Sequence, residues 1–379
     1  MPLERFMEHR KHIKEIASET YKKIMKDGKK AEDHLEELEK KLEDCTLEGP
    51  FQGQQKNFCK PVTYLQPFAT NINVTKDEKF ERARREIGKL PECLKPNGAE
   101  DLMHFGDEII QGLNQAQAYL KVPAVRTTAH WEIQGAGSIN LNVGPGSCLW
   151  ISCPIEYFNT VDSMLNQRGG SWTKSAVWPL VKDLRTKGIF VEVYEQMAGD
   201  MVYVGFGTPH WVQSVGFADN ISWNIVVPTV NQLATAALIH DYHMSEPRPE
   251  NVANWKPPIM PLEYMIWNMV IKRKEMDGEM KRAVKSMLMR SLANAAAEEA
   301  YAIVKTCPIV NLADVPDVPA VARCYPCDRV LFNYLPVHQE GYIICFQCYF
   351  KRDEEKLVHV VQRYEMKYLV ELFDSVIIN

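Results

Sequence analysis

The sequence predicts a mixed α/β protein: a β barrel or sandwich set among helices, followed by a small metal-held module. Three observations carry that expectation. The runs "GSINLNV", "SCLWISC", "IFVEVYEQ", "DMVYVGF" and "ISWNIVV" are short, rich in β-branched and aromatic residues, and separated by Gly and Pro. Strand signals then vanish from residue 231 to residue 306, where the apolar pattern is helical. Finally, Cys324, Cys327, Cys345 and Cys348 form two C-x-x-C pairs with 17 residues between them.

Composition is consistent with this plan. The chain has 379 residues and is 46% hydrophobic, enough for a substantial core and about two or three domains. A net charge of −5 argues against a broad basic surface, so direct nucleic-acid binding is not expected. No run of apolar residues is long enough for a transmembrane helix, and no membrane association is expected. The first residues lack the basic-then-apolar layout of a signal peptide. A secreted location and a disulfide framework are therefore not expected.

Residues 1–50 read as a charged helical arm, with Leu35, Leu38 and Leu42 at helical spacing. "ARREIGKLPECL" and "GAEDLMHFGDEIIQGL" read as helices ahead of the strands. "NQLATAALIHDYH", "LEYMIWNMVIKR" and "EMKRAVKSMLMRSLANAAAEEAYAIVK" read as helices behind them, interrupted by the Pro-rich "EPRPENVANWKPPIMP". "VPDVP" is a stiff linker into the cysteine cluster, and "RYEMKYLVELFDSV" reads as a closing helix.

The chemistry centres on His130-Trp131-Glu132 and the distant His210. Residues two apart on a strand point to the same face, so His130 and Glu132 can aim at one point. "GDMVYVGFGTP" supplies a strand and tight turn that can deliver His210 there. Two imidazoles and a carboxylate on one face suit a non-heme Fe(II) centre with open positions opposite. Zinc held by His₂Glu is the rival, although the helical H-E-x-x-H signature is missing. His240 and His243 lack an evident third ligand and read as an ordinary helix face.

An oxo-acid cosubstrate needs a cation, and Lys121, nine positions before His130, can provide one. Thr127 offers a hydroxyl. Asn140 shares the Glu132 face only if Gly135-Ala136-Gly137 keeps strand parity. The four clustered cysteines match a structural Cys₄ zinc site, closed because four protein ligands leave no open position. Cys45, Cys59, Cys93, Cys148, Cys153 and Cys307 are scattered and read as ordinary small apolar side chains.

"FATNINVTKDEKFERARREIGKLPECL", "QAQAYLKVPAVRTTAHWE", "SINLNVGPGSCLWIS", "GDMVYVGFGTPHWVQSVG" and "NISWNIVVPT" together resemble the jumonji C domain of the UTX-type histone demethylases. The likeness continues through "PIMPLEYMIWNMV" and the cysteine pairs, over roughly residues 60–379. It implies a double-stranded β-helix (cupin-like) barrel with N-terminal helices, a helical linker domain and a Cys₄ zinc module. The corresponding divisions are 1–50 for the arm, 51–232 for the catalytic domain, 233–310 for the linker and 311–379 for the module with its closing helix.

The resemblance implies Fe(II)- and 2-oxoglutarate-dependent demethylation of di- and trimethylated lysine 27 of histone H3, releasing formaldehyde and succinate. Other outcomes of the same fold are a hydroxylase of another protein and a catalytically weak chromatin-binding scaffold. Carried over by resemblance, His130, Glu132 and His210 hold iron, and Lys121, Thr127 and Asn140 contact 2-oxoglutarate. Gln117, Tyr119, Ser138, Trp223 and Asn224 line the methyl-lysine pocket or channel. Zinc, a methylated histone H3 tail, chromatin-associated complexes and the nucleus are the implied metal, partners and location. The chain departs from the family's pattern at Thr128-Ala129, Ile133-Gln134 and Phe217-Ala218.

Overall fold

The computed structural model describes residues 69–75, 78–122, 125–167, 181–245, 258–272, 274–351 and 357–378. The expected arm over residues 1–50 lies outside them. The described residues divide into two units: one holds 69–96 and 110–225, the other 97–109 and those from 226 onward.

In chain order the first unit contains β1 (Ala69–Asn73), α1 (Glu81–Ile87), β2 (Gln117–Leu120), β3 (Arg126–His130), β4 (Gly137–Pro145) and β5 (Cys148–Ser152). These are followed by α2 (Phe158–Asn166), α3 (Val181–Thr186), β6 (Glu192–Gln196), β7 (Met201–Val204), β8 (His210–Ser214) and β9 (Ala218–Ile225). The strands form two antiparallel sheets, ordered β1-β2-β9-β4-β7 and β3-β8-β5-β6. The short strand runs predict a barrel or sandwich, and two antiparallel sheets of this order form a sandwich of the cupin-like kind that the resemblance implies. Strands β1, β2, β3 and β8 lie outside those runs.

Register explains how a sandwich acquires a polar interior site. Directly opposed residues of antiparallel strands share a face. Gln117 opposes Ser222, Tyr119 opposes Asn220, Ser138 opposes Asn224 and Asn140 opposes Ser222. One face of the larger sheet is therefore lined by amides, hydroxyls and a phenol. The reverse face carries Ala118, Ile139, Ile221, Trp223 and Ile225, all buried and apolar. Alternation at period two assigns the polar face to ligands and the apolar face to the core.

The region before these strands departs from expectation. The helix expected across residues 98–113 is only a 3₁₀ turn, Leu102–Phe105, ended by Gly106. Asp107 and Gly112 have φ of 52° and 84°, a left-handed backbone that a helix does not contain. Leu102, Met103 and Phe105 are buried nonetheless, which accounts for the helix-like apolar spacing.

The second unit contains α4 (Val230–Ser245), α5 (Leu262–Ile271), α6 (Gly278–Val304), β10 (Ile309–Asn311), β11 (Ala322–Arg323) and β12 (Val330–Leu331). It ends with β13 (Tyr334–His338), α7 (Phe346–Phe350), β14 (Leu357–Gln362) and α8 (Met366–Ser375). Asp277 caps α6 by accepting from the Met280 N–H at 2.7 Å. The Trp267 indole N–H donates to Ser291 Oγ at 2.9 Å, joining α5 to α6. Tyr264 donates its hydroxyl to the Leu331 carbonyl at 2.8 Å, and Tyr334 donates to Glu299 at 2.8 Å. Tyr334, Phe346 and Val360 also pack with Ala295 and Ala302 of α6. Helices and cysteine module thus share one core. Among the described residues no helix is long and apolar enough to cross a membrane.

Candidate active site and cysteine cluster

The site begins with a bulge. Along β3 and β8, Thr127 opposes Val212 and His130 opposes His210, so three steps on one strand match two on the other. Without that extra residue, Thr127 and His130 would point to opposite faces; with it both face the same side. Glu132 is not in the strand. It lies just beyond, in extended backbone (φ −67°, ψ 160°), immediately before the 3₁₀ turn Ile133–Gly135. Gln134 in that turn is buried with φ 47°. The turn separates Glu132 from β4, so unbroken strand parity is not what places Asn140.

The ligating atoms of His130, Glu132 and His210 lie within 4.8 Å of one another. His210 Nε2 is 3.7 Å from Glu132 Oε1, and the two imidazole centroids are 4.1 Å apart. Each ring is oriented by its own chain. His130 Nδ1 sits 2.7 Å from the Thr128 carbonyl and His210 Nδ1 2.9 Å from the Thr208 carbonyl. A carbonyl can only accept, so Nδ1 carries a proton in both rings, and Nε2 is the nitrogen left to face a metal.

Electrostatics favour the same state. Burial, reinforced by neighbouring His130, drives His210 down to about 4, so it is neutral near pH 7. Burial works to raise the Glu132 carboxyl. The two imidazoles and hydrogen bonds from Asn224 and Ser138 outweigh it and hold the group below its ordinary range. Two imidazoles and one carboxylate, close together and with both Nδ1 atoms held by backbone carbonyls, are a donor set that fits a divalent transition metal.

Lys121 follows β2, its N–H donating to the Ala218 carbonyl at 3.0 Å. Only 4% of it is exposed. Its ammonium lies 3.9 Å from Cys148 Sγ, and no carboxylate of the described residues is within 4 Å. A buried cation without a paired anion is costly unless an anionic ligand completes it. Asn140 Oδ1 accepts from Asn220 Nδ2 at 2.8 Å. Cys148, which the sequence leaves among ordinary apolar cysteines, is thus at the site, between Lys121 and Asn220.

The expected substrate residues separate into two sets. Gln117 and Tyr119 share the polar face, with the Tyr119 hydroxyl donating to Gln117 Oε1 at 3.1 Å. The buried Gln117 amide packs against Gly112, where an added Cβ would fall 2.1 Å from Nε2. Ser138 and Asn224 share that face and reach Glu132. Trp223 does not: it points to the reverse face and donates its indole N–H to the Leu94 carbonyl at 2.9 Å. Among the departures, the Phe217 and Ala218 carbonyls hold Gly146 and Lys121, so they act through backbone.

In the second unit, the sulfurs of Cys324, Cys327, Cys345 and Cys348 also lie within 4.8 Å of one another. The Cys345 N–H donates to Cys324 Sγ at 3.1 Å and the Cys348 N–H to Cys345 Sγ at 3.3 Å. Hydrogen bonds from Cys324 and Cys345 pull Cys327 far down, while contacts with Cys327 and Cys345 push Cys324 far up. Four sulfurs competing for protons at this range suit a tetrahedral thiolate metal. His240 and His243 join no such cluster among the described residues; His240 lies 3.4 Å from Asp241.

Comparison with known proteins agrees with this geometry. Residues 117–225 match the JmjC domain, hydroxylase. The chain is 32% identical to lysine-specific demethylase jmjd-3.1 of Caenorhabditis elegans, over 82% of this chain and 29% of that protein. It is 28% identical to lysine-specific demethylase 6B of Homo sapiens, over 82% of this chain and 19% of that protein. The chain therefore spans less than a third of the length of either relative.

Proposed function

The chain carries a jumonji C domain and is related to the UTX-type histone demethylases, and from that premise we propose that it is an Fe(II)- and 2-oxoglutarate-dependent demethylase of di- and trimethylated lysine 27 on histone H3. The observation that carries the reading is the convergence of His130, Glu132 and His210, with both Nδ1 atoms already committed to backbone carbonyls. Iron held by these three residues would supply dioxygen activation coupled to decarboxylation of the oxo acid, yielding succinate and formaldehyde.

The rest of the work falls to the chain's own side chains. Lys121 binds one carboxylate of 2-oxoglutarate, and Thr127 and Asn140 add hydrogen-bond donors. Asn224 and Ser138 steady the Glu132 carboxylate and border the methyl-lysine pocket. Gln117 holds the Tyr119 phenol, whose ring and oxygen face a quaternary ammonium. Trp223 acts from behind the sheet, by holding β9 in place. The helices over 233–310 form a linker domain. The module over 311–379 holds structural zinc through Cys324, Cys327, Cys345 and Cys348, and contacts the histone tail. The substrate implies a nuclear location and chromatin-associated partners.

The test is mass spectrometry of histone H3 peptides methylated at several lysines, incubated with protein, Fe(II), ascorbate and 2-oxoglutarate. Stepwise loss of methyl groups from the lysine-27 peptide, abolished by His130→Ala, is the expected result. Gain of one oxygen without methyl loss would make the protein a hydroxylase instead. Demethylation that persists in His130→Ala would defeat the assigned metal site.

A further inference from the structure

Asn140 is itself held by a buried amide network. Its Oδ1 accepts from Asn220 Nδ2 at 2.8 Å and from Gln196 Nε2 at 3.3 Å. The 2.8 Å bond from Asn220 commits the carbonyl oxygen, Gln196 Nε2 adds a longer shared contact, and the amide nitrogen points the other way. That nitrogen has no hydrogen-bond partner among the described residues. It is a donor aimed by its neighbours and spent on none of them.

Gln196 is 1% exposed and fixed at both ends. Its Oε1 accepts from the Trp150 indole N–H at 2.9 Å, and its Nε2 donates to the Asn140 and Asp200 carbonyls at 2.9 and 3.1 Å. Flipping the amide would set an NH₂ against the indole N–H, so only one orientation is satisfied. Asn220 is fully buried and links the other way: its Oδ1 accepts from Cys148 Sγ at 3.6 Å, and that sulfur lies 3.9 Å from Lys121 Nζ. One connected network therefore spans both Lys121 and Asn140. It also reaches the metal side, since Trp150 stacks on the His210 ring at 5.6 Å. Connected buried networks of this kind fix side-chain orientation more strongly than their separate bonds do.

We propose that Gln196 and Asn220 are positioning residues for the oxo-acid cosubstrate, acting through Asn140 to aim its amide N–H at a carboxylate or keto oxygen. This rests on the 2-oxoglutarate reading given above. Neither residue touches the cosubstrate, and their contribution is to remove the alternatives open to Asn140.

The experiment titrates 2-oxoglutarate into the full chain with Fe(II) under anaerobic conditions, following the visible charge-transfer band, alongside steady-state demethylation. Gln196→Met keeps side-chain length but removes both amide roles without adding charge. It should raise the cosubstrate Kd and KM about tenfold, the loss of roughly one hydrogen bond, and leave Fe(II) affinity and peptide KM unchanged. Asn220→Ser, a smaller change at the other end, should give the same selective loss and carries the test if Gln196→Met does not fold. Thermal melts identify that case. Unchanged cosubstrate constants in both variants overturn the proposal, as does equal weakening toward peptide, iron and cosubstrate. A wild-type chain that develops no band overturns the underlying reading itself, a result distinct from wild-type binding with indifferent variants.

Discussion

Replacing Lys121 by methionine is expected to stabilise the protein while disabling it. Lys121 is 4% exposed, and its ammonium touches the Cys148 sulfur at 3.9 Å and has no carboxylate of the described residues within 4 Å. Holding such a charge costs several kcal/mol against water, repaid only when an anion arrives. Methionine fills nearly the same volume without the charge, and Cys148 is a suitable apolar neighbour. Allowing for relaxation and residual hydration, the substitution should stabilise the metal- and cosubstrate-free protein by about 1–3 kcal/mol, raising Tm by roughly 2–6 °C. Binding moves oppositely. A hydrogen bond to a charged partner contributes about 1.5–3 kcal/mol, so 2-oxoglutarate affinity should fall roughly 10- to 100-fold. Calorimetric melts of the apo protein and anaerobic 2-oxoglutarate titrations measure the two halves independently. A lower Tm combined with unchanged affinity would show that Lys121 is a structural residue already compensated by the fold, and would refute the reasoning.

Asp101 supplies a prediction about pH. Burial lifts its carboxyl from 3.8 to about 6, and the Met103 and Val226 N–H groups both reach Oδ1 while buried Oδ2 has no partner. The folded state thus binds a proton that the unfolded state has released, and stability falls as pH rises from about 4 to about 6. Asp101→Asn keeps Oδ1 and removes the charge; it should flatten that decline and add about 1–3 kcal/mol at pH 7 in denaturant titrations. A steeper decline in the variant would contradict this. The cysteine cluster supplies another. Cys345→Ala should release roughly one zinc per chain to a chromophoric chelator and lower Tm, because Cys324, Cys327 and Cys345 sit in the same core as Leu331, Leu335 and Ile344. Zinc content and Tm equal to wild type would remove the metal from that site.

The two groups of residues that could hold a metal were legible in the sequence for different reasons. The cysteines announce themselves by spacing alone, since C-x-x-C is a local geometric device. His130, Glu132 and His210 required the assumption that distant strands converge. Their pairing across β3 and β8 fulfils it, although Glu132 lies beyond the strand rather than on it. Helices α4, α5, α6 and α8 followed from apolar periodicity. The 98–113 segment misled because buried Leu102, Met103 and Phe105 imitate that periodicity around a single 3₁₀ turn. Trp223 lies one residue from Asn224, and a shift of one residue along a strand changes its face.

The sequence by itself determined which residues could do chemistry: the histidines, the carboxylate, the cation and the thiols, together with the short strands and long helices that carry them. Tertiary structure alone decided which of these meet. The β3 bulge that turns Thr127 and His130 the same way is a matter of register between strands about eighty residues apart. The link from Lys121 through Cys148 and Asn220 to Asn140 likewise joins separate strands. Register and cross-strand hydrogen bonds arise between chain segments, so no local pattern encodes them; composition fixes the donors and acceptors, and pairing fixes where they point.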